Sequence, residues 1–162
     1  MNWVAFILLG YGAMGLQTGL GSFARLGSSD GGAAPNFGLI ALVFIALNAR
    51  WQVALLGGFI LGALQDLATQ QPFGLFAFSY GFAAMAIASV AQSVYRLHPL
   101  THFFCTLMGG CLTALILTTH GWSRHVSVPL VTTFAGALYT AILAPFLIGA
   151  LQKMRKVFAF NR

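Results

Sequence analysis

Gly58-Phe59-Ile60-Leu61-Gly62-Ala63-Leu64-Gln65-Asp66, followed by Leu67-Ala68-Thr69-Gln70-Gln71-Pro72-Phe73-Gly74, decides how the rest of the chain is read. A hydrophobic helix ends in a carboxyl group, a short polar break follows, and a Pro-x-Gly turn opens another hydrophobic helix. Ala54, Gly58, Gly62 and Asp66 recur every four residues, so they run along one side of the first helix. Gly58 and Gly62 form the G-x-x-x-G spacing that lets a second helix come close inside a membrane. An acid facing lipid costs roughly 2.5–3.5 kcal/mol on insertion scales. The stripe is therefore expected to face protein.

Composition supports a membrane setting. Charged residues make up 6% of the chain, where a typical soluble domain carries about 25%. Two acids, Asp30 and Asp66, stand against eight basic residues, for a net charge of +6. Such a balance can mark a nucleic-acid binder, but here the cations sit singly at the ends of hydrophobic runs and do not stripe one face. No nucleic acid is expected; this placement sets the topology of a polytopic membrane protein. Cys105 and Cys111 lie in one run, about 240° apart around a helix, and cannot pair with each other. They read as small apolar residues.

The expected fold class is an all-α polytopic membrane protein. Six transmembrane helices, over about 3–20, 37–49, 52–68, 75–95, 100–119 and 128–151, form a single domain at 1–152, and a basic tail follows at 153–162. No Lys or Arg precedes the first run, so it reads as a retained span and not a secretory signal. Pro35 and Asn36 mark the start of the second, because proline's missing N–H would be unpaired at a helix start. That run is short for a span; Arg50 at its end can snorkel to the interface, or the bilayer can thin. The turn at Leu97-His98-Pro99 and the loop at 120–125 separate the later runs, and Pro145 lies inside the last. An even number of spans puts both termini on one side. Arg50, Arg96, Lys153, Arg155, Lys156 and Arg162 then share a face, with Arg25 and Arg124 opposite. The Lys/Arg bias makes the richer face, and both termini, cytoplasmic, which places Asp66 near the outer end of the third span.

Asp66 is the sharpest single residue, since intramembrane acids are functional candidates by default. Its expected partners are Arg25, Arg124, His120 or His125, judged by side of the membrane, or else Thr69, Gln70 and Gln71 close by. His98, His102 and Cys105 fall at i, i+4 and i+7, a spacing that zinc helices use. His98 precedes Pro99, however, and belongs to the turn, so interfacial histidines beside a buried cysteine are expected and no metal. The tail residues Lys153, Arg155 and Lys156, with Phe158 and Phe160 between them, suit anionic lipid or a cytoplasmic partner. Catalysis finds no support: no Ser–His–acid pattern, P-loop, Rossmann or CxxC motif occurs, and a carboxylate dyad needs a second embedded acid.

Ala34-Pro35-Asn36 entering an apolar run, the Arg50 turn, Gly58-Phe59-x-x-Gly62-x-x-x-Asp66-Leu67 and Phe73-Gly74 opening the next span together resemble the MreD family of bacterial rod shape-determining membrane proteins. Gly136, Pro145 and Lys153-Met154-Arg155-Lys156-Val157 are similar to that family's last span and tail; Phe73, preceded by Pro72, stands where the family usually has Leu. The resemblance is good over about 34–88 and the final span. It implies a six-helix inner-membrane protein with no catalysis and no cofactor, bound to the bitopic protein MreC. It further implies one assembly with MreB, RodA and a class B penicillin-binding protein, and a fold similar to the substrate-binding subunits of energy-coupling-factor transporters. That likeness supplies an alternative function, a small-molecule-binding transport subunit. On either reading Ala54, Gly58, Gly62, Asp66, Pro72 and Gly74 are expected at a helix-packing surface, which receives either another span of this chain or the transmembrane helix of MreC.

Overall fold

A computed structural model describes residues 3–19, 33–69, 72–92, 94–95, 98–125 and 130–153. They form six helices and no strand: α1 (Trp3–Gly19), α2 (Phe37–Asn48), α3 (Trp51–Ala68), α4 (Leu75–Val90), α5 (Pro99–Ser123) and α6 (Leu130–Lys153). Three of these, α3, α5 and α6, are long and apolar enough to cross a membrane unaided, and the other three are shorter apolar helices.

The arrangement is organised around the shortest helix. α2 packs against all five others, and every residue from Gly38 to Asn48 is buried. A helix surrounded on all sides has no polar face to show, which is why Gly38-Leu39-Ile40-Ala41-Leu42-Val43-Phe44-Ile45-Ala46-Leu47 reads as unbroken hydrophobicity. Twelve residues make about 18 Å of helix, well short of the roughly 30 Å hydrocarbon layer. Burial among the other helices keeps this short helix away from lipid along its length.

Around α2 the other helices touch in the order α1, α3, α4, α5, α6. The ring does not close, because α1 and α6 make no contact among the described residues. Glycines set the closeness of several ring contacts. A Cβ on Gly110 of α5 would lie 2.8 Å from the Ala137 Cβ of α6, and one on Gly109 would lie 3.1 Å from Ile87 Cδ1 of α4. Side chains this small allow backbones to approach where lipid offers no hydrophobic drive between helices.

Several boundaries differ from the expected ones. Pro35 precedes the cap and is not itself in α2; Asn36 is the N-cap, with its side chain accepting the Leu39 N–H at 3.0 Å. α4 stops at Val90, five residues before the expected end, and passes into a turn at Ala91 and Gln92. α5 runs on to Ser123 and takes in most of the expected outer loop; no proline stops it there, and Gly121 is accommodated despite its low helix propensity. Its start is as sharp as the sequence implies: His98 is the N-cap, its Nδ1 accepting the Leu100 N–H at 3.3 Å, with Pro99 in the first turn.

Candidate functional site

The opening stripe turns into the protein and meets α4. A Cβ on Gly62 would overlap the Phe76 carbonyl oxygen and stand 2.5 Å from Ala77 Cα. One turn back, a Cβ on Gly58 would lie 2.8 Å from both the Tyr80 carbonyl oxygen and Ala84 Cβ. Ala54 is fully buried. Of the two expected occupants of this surface, another helix of this chain, α4, fills it.

Asp66 completes the joint, and is buried. Its Oδ2 accepts the N–H groups of Gly74 at 2.9 Å and Ala77 at 3.1 Å, and its Oδ1 accepts that of Phe76 at 2.9 Å. The first N–H groups of any helix lack an internal partner and sit at the positive end of its dipole. The last turn of α3 therefore supplies the cap for the first turn of α4. Gly74 makes this possible by adopting φ of +99°, a left-handed conformation that a side chain resists. Pro72 is exposed, and its carbonyl accepts the Leu75 N–H at 3.2 Å to close the turn.

The expected partners of Asp66 need correcting on this point. Its hydrogen-bond donors are backbone groups of α4, and not Arg124, His120 or His125, while Thr69 donates its hydroxyl to the Gln65 carbonyl at 2.9 Å. Arg25, Gln70 and Gln71 lie outside the described residues, as do Arg155 and Lys156 of the tail. Lys153 is the last residue of α6 and is exposed. Of the spaced trio, His98 is exposed at the cap, whereas His102 is buried with its Nε2 2.9 Å from Gln152 Nε2 of α6, and Cys105 is a buried free thiol.

A second polar cluster surrounds the start of α2, and only Asn36 of it was singled out from the sequence. The Tyr80 hydroxyl of α4 donates to Asn36 Oδ1 at 2.8 Å. The Asn36 N–H donates to Thr140 Oγ1 of α6 at 2.9 Å, and the Phe37 N–H donates to Gln17 Oε1 of α1 at 2.8 Å. Gln65 of α3 is buried with its Oε1 near Gly38. The first N–H groups of a helix have no partner within it, so Gln17 of α1 and Thr140 of α6 supply acceptors here, while Tyr80 of α4 donates to the capping Asn36 side chain. Gln17, Tyr80 and Thr140 are polar residues inside apolar runs, which is the one signal that could have flagged them.

Two open spaces adjoin this framework. A cavity of about 160 Å³ near the head of α2 is bordered by Asn36, Thr113, Thr132, Thr133 and Thr140 with apolar neighbours. A larger groove of about 390 Å³ lies in the gap between α1 and α6; Leu8, Gly12 and Leu16 form one wall, Leu147 and Leu151 the other, and Ile40 and Ala41 of α2 the floor. The glycine of this groove differs from those of the ring contacts. A Cβ on Gly12 of α1 would meet nothing within 4 Å among the described residues, as would one on Gly15, Gly19 or Gly149, which do not line the groove.

Six packed apolar helices, three of them long enough to cross a membrane, with their buried polar groups joining helix to helix, define an all-α polytopic membrane protein. The chain belongs to the MreD family: the family model for rod shape-determining protein MreD matches residues 1–154. Members are bacterial membrane proteins of the machinery that determines rod shape. No individual curated protein and no solved structure is significantly similar to the chain. The likeness of fold to energy-coupling-factor subunits accordingly rests on the family resemblance alone.

Proposed function

We propose that this protein is a non-catalytic component of the cell-wall elongation assembly in the bacterial inner membrane, and that it helps to maintain rod shape by holding the transmembrane helix of MreC in the groove between α1 and α6. The observation that carries the reading is the contrast among the glycines. Gly58, Gly62 and Gly110 each meet a neighbouring helix at a separation no side chain would allow, while Gly12 is the glycine that lines the gap between α1 and α6 and a Cβ there meets nothing among the described residues. Acyl chains gain nothing from a missing side chain; a helix does, because close backbone approach is what holds helices together in lipid. Asp66 and the α3 glycines serve this function indirectly, by fixing α4 and so the ring.

Both termini lie in the cytoplasm on the Lys/Arg distribution. Lys153, Arg155 and Lys156 then sit where anionic lipid or a cytoplasmic member of the assembly would meet them. MreB, RodA and a class B penicillin-binding protein complete the set of partners in this reading.

The alternative, a small-molecule-binding transport subunit, draws on the hydroxyl-bordered cavity beside Asn36. Its volume of about 160 Å³ falls below the roughly 300–1,000 Å³ of ordinary ligand sites. The groove of about 390 Å³ reaches that range but is lined by apolar side chains alone, without the polar groups that orient a small molecule, so the scaffold reading is preferred. Co-purification separates the two. Gly12→Leu puts a bulky side chain into the groove from a position where a Cβ meets no described neighbour; it should insert, keep the parental unfolding temperature and lose most of the MreC recovered with tagged protein. Undiminished recovery of MreC would put its helix elsewhere on the bundle and overturn the groove, whereas a small molecule retained by the purified parent in mass spectrometry, with no MreC recovered, favours the alternative.

A further inference from the structure

The bundle carries a polar recess at the end opposite Asp66. A cavity of about 230 Å³ opens between the α2–α3 corner and the end of α4, with Arg50, Trp51 and Gln92 at its mouth and Ala46, Ala49, Ala88 and Ala91 as its floor. Arg50, Trp51 and Gln92 are all exposed. Arg50 has no acidic partner among the described residues, and Asp66, the one acid they contain, lies fifteen residues beyond Trp51 along α3. That is about 22 Å of helix, more than twice the screening length of about 8–10 Å in physiological salt. No side chain caps the start of α3 either, so its first N–H groups add positive potential at the same end.

We infer that this recess binds the phosphate of an anionic glycerophospholipid, with the Arg50 guanidinium as the charged contact and Trp51 and Gln92 as flanking hydrogen-bond donors. A lipid is favoured over a soluble phosphate by what lies next to the recess. Leu56, Phe59 and Ile60 of α3 and Phe82 and Met85 of α4 are exposed along the two helices that frame it, and they give acyl chains an apolar wall. The alanine floor leaves room for a glycerol backbone but offers it no polar contact. Trp51, exposed at a helix end beside a cation, matches the interfacial position that tryptophan prefers. Basic pockets between membrane helices are known to take such headgroups. The inference does not depend on the groove between α1 and α6, nor on which leaflet this end faces.

The test is lipid retention by the purified full chain, delipidated and reconstituted in nanodiscs of phosphatidylcholine doped with phosphatidylglycerol, then examined by native mass spectrometry. The parent should retain phosphatidylglycerol in preference to phosphatidylcholine. Arg50→Gln should reduce that preference about fivefold, the equivalent of about 1 kcal/mol for one cation near the surface, and Trp51→Ala should reduce it less. Arg50→Lys should restore part of it. Arg124→Gln, which removes a different exposed cation, should leave it unchanged. Equal retention by parent and Arg50→Gln, or an equal drop in Arg124→Gln, would overturn the site. Loss of the lipid to millimolar inorganic phosphate would show a soluble-phosphate site and overturn its assignment to lipid.

Discussion

Tyr80 and Asn36 stand 44 residues apart in sequence and are joined by a hydrogen bond of 2.8 Å from the tyrosine hydroxyl to the asparagine side-chain oxygen. The same oxygen caps the Leu39 N–H, so one atom ties α4 to the head of α2. Because α4 is itself capped by Asp66, the two polar clusters act in series: α3 positions α4, and α4 steadies the central helix.

Tyr80→Phe tests the weaker half of that link. It removes one donor and leaves the cap, so it should lower stability by about 0.5–1.5 kcal/mol. Asn36→Ala removes the cap and strands the buried Tyr80 hydroxyl, and should cost about 2–4 kcal/mol. Thermal unfolding of the two variants in detergent checks both the order and the sizes.

Asp66→Asn should be destabilising by about 1–3 kcal/mol, because a single amide oxygen cannot serve the donors of Gly74, Phe76 and Ala77 and its NH₂ would point at one of them. Unlike an ion pair at the surface, this arrangement is shielded from salt. The difference from parent should therefore hold between roughly 0.1 and 1 M salt, conditions that would erode a screened charge pair. A penalty that fades with salt would point to a cationic partner instead.

Glycines of the two kinds should respond oppositely to one methyl group. Gly62→Ala forces a Cβ into the backbone of Phe76 and Ala77 and should cost about 1–3 kcal/mol. Gly12→Ala enters open space, and should be neutral or stabilising by up to about 1 kcal/mol through helix propensity. Unfolding temperatures of the two variants, measured side by side, check the pair.

The sequence makes the six apolar runs and the inward side of α3 readable, because both follow from local spacing: an acid and two glycines four residues apart can turn only one way. It does not reveal what Asp66 touches. Side chains such as Arg124 or Thr69 can be proposed from the sequence, but backbone N–H groups are carried by nearly every residue, and only Pro72 and Gly74 hint that a helix starts there. The central place of α2 was equally hidden. Its shortness looks like a mismatch with the bilayer until Gln17, Tyr80 and Thr140 arrive from three other helices, the last 104 residues from Asn36. The gap between α1 and α6 depends on how all the helices pack, and no window of sequence contains it.

Photo-crosslinking in living cells tests the central claim most directly. A photoreactive residue placed at Leu8 or at Leu147 faces the groove between α1 and α6, while one at Phe82 is exposed on the α4 side of the bundle. Crosslinks to the transmembrane helix of MreC should form from Leu8 and Leu147 and be absent from Phe82, and Gly12→Leu should abolish them. MreC captured from Phe82, with none from either groove position, would contradict the account.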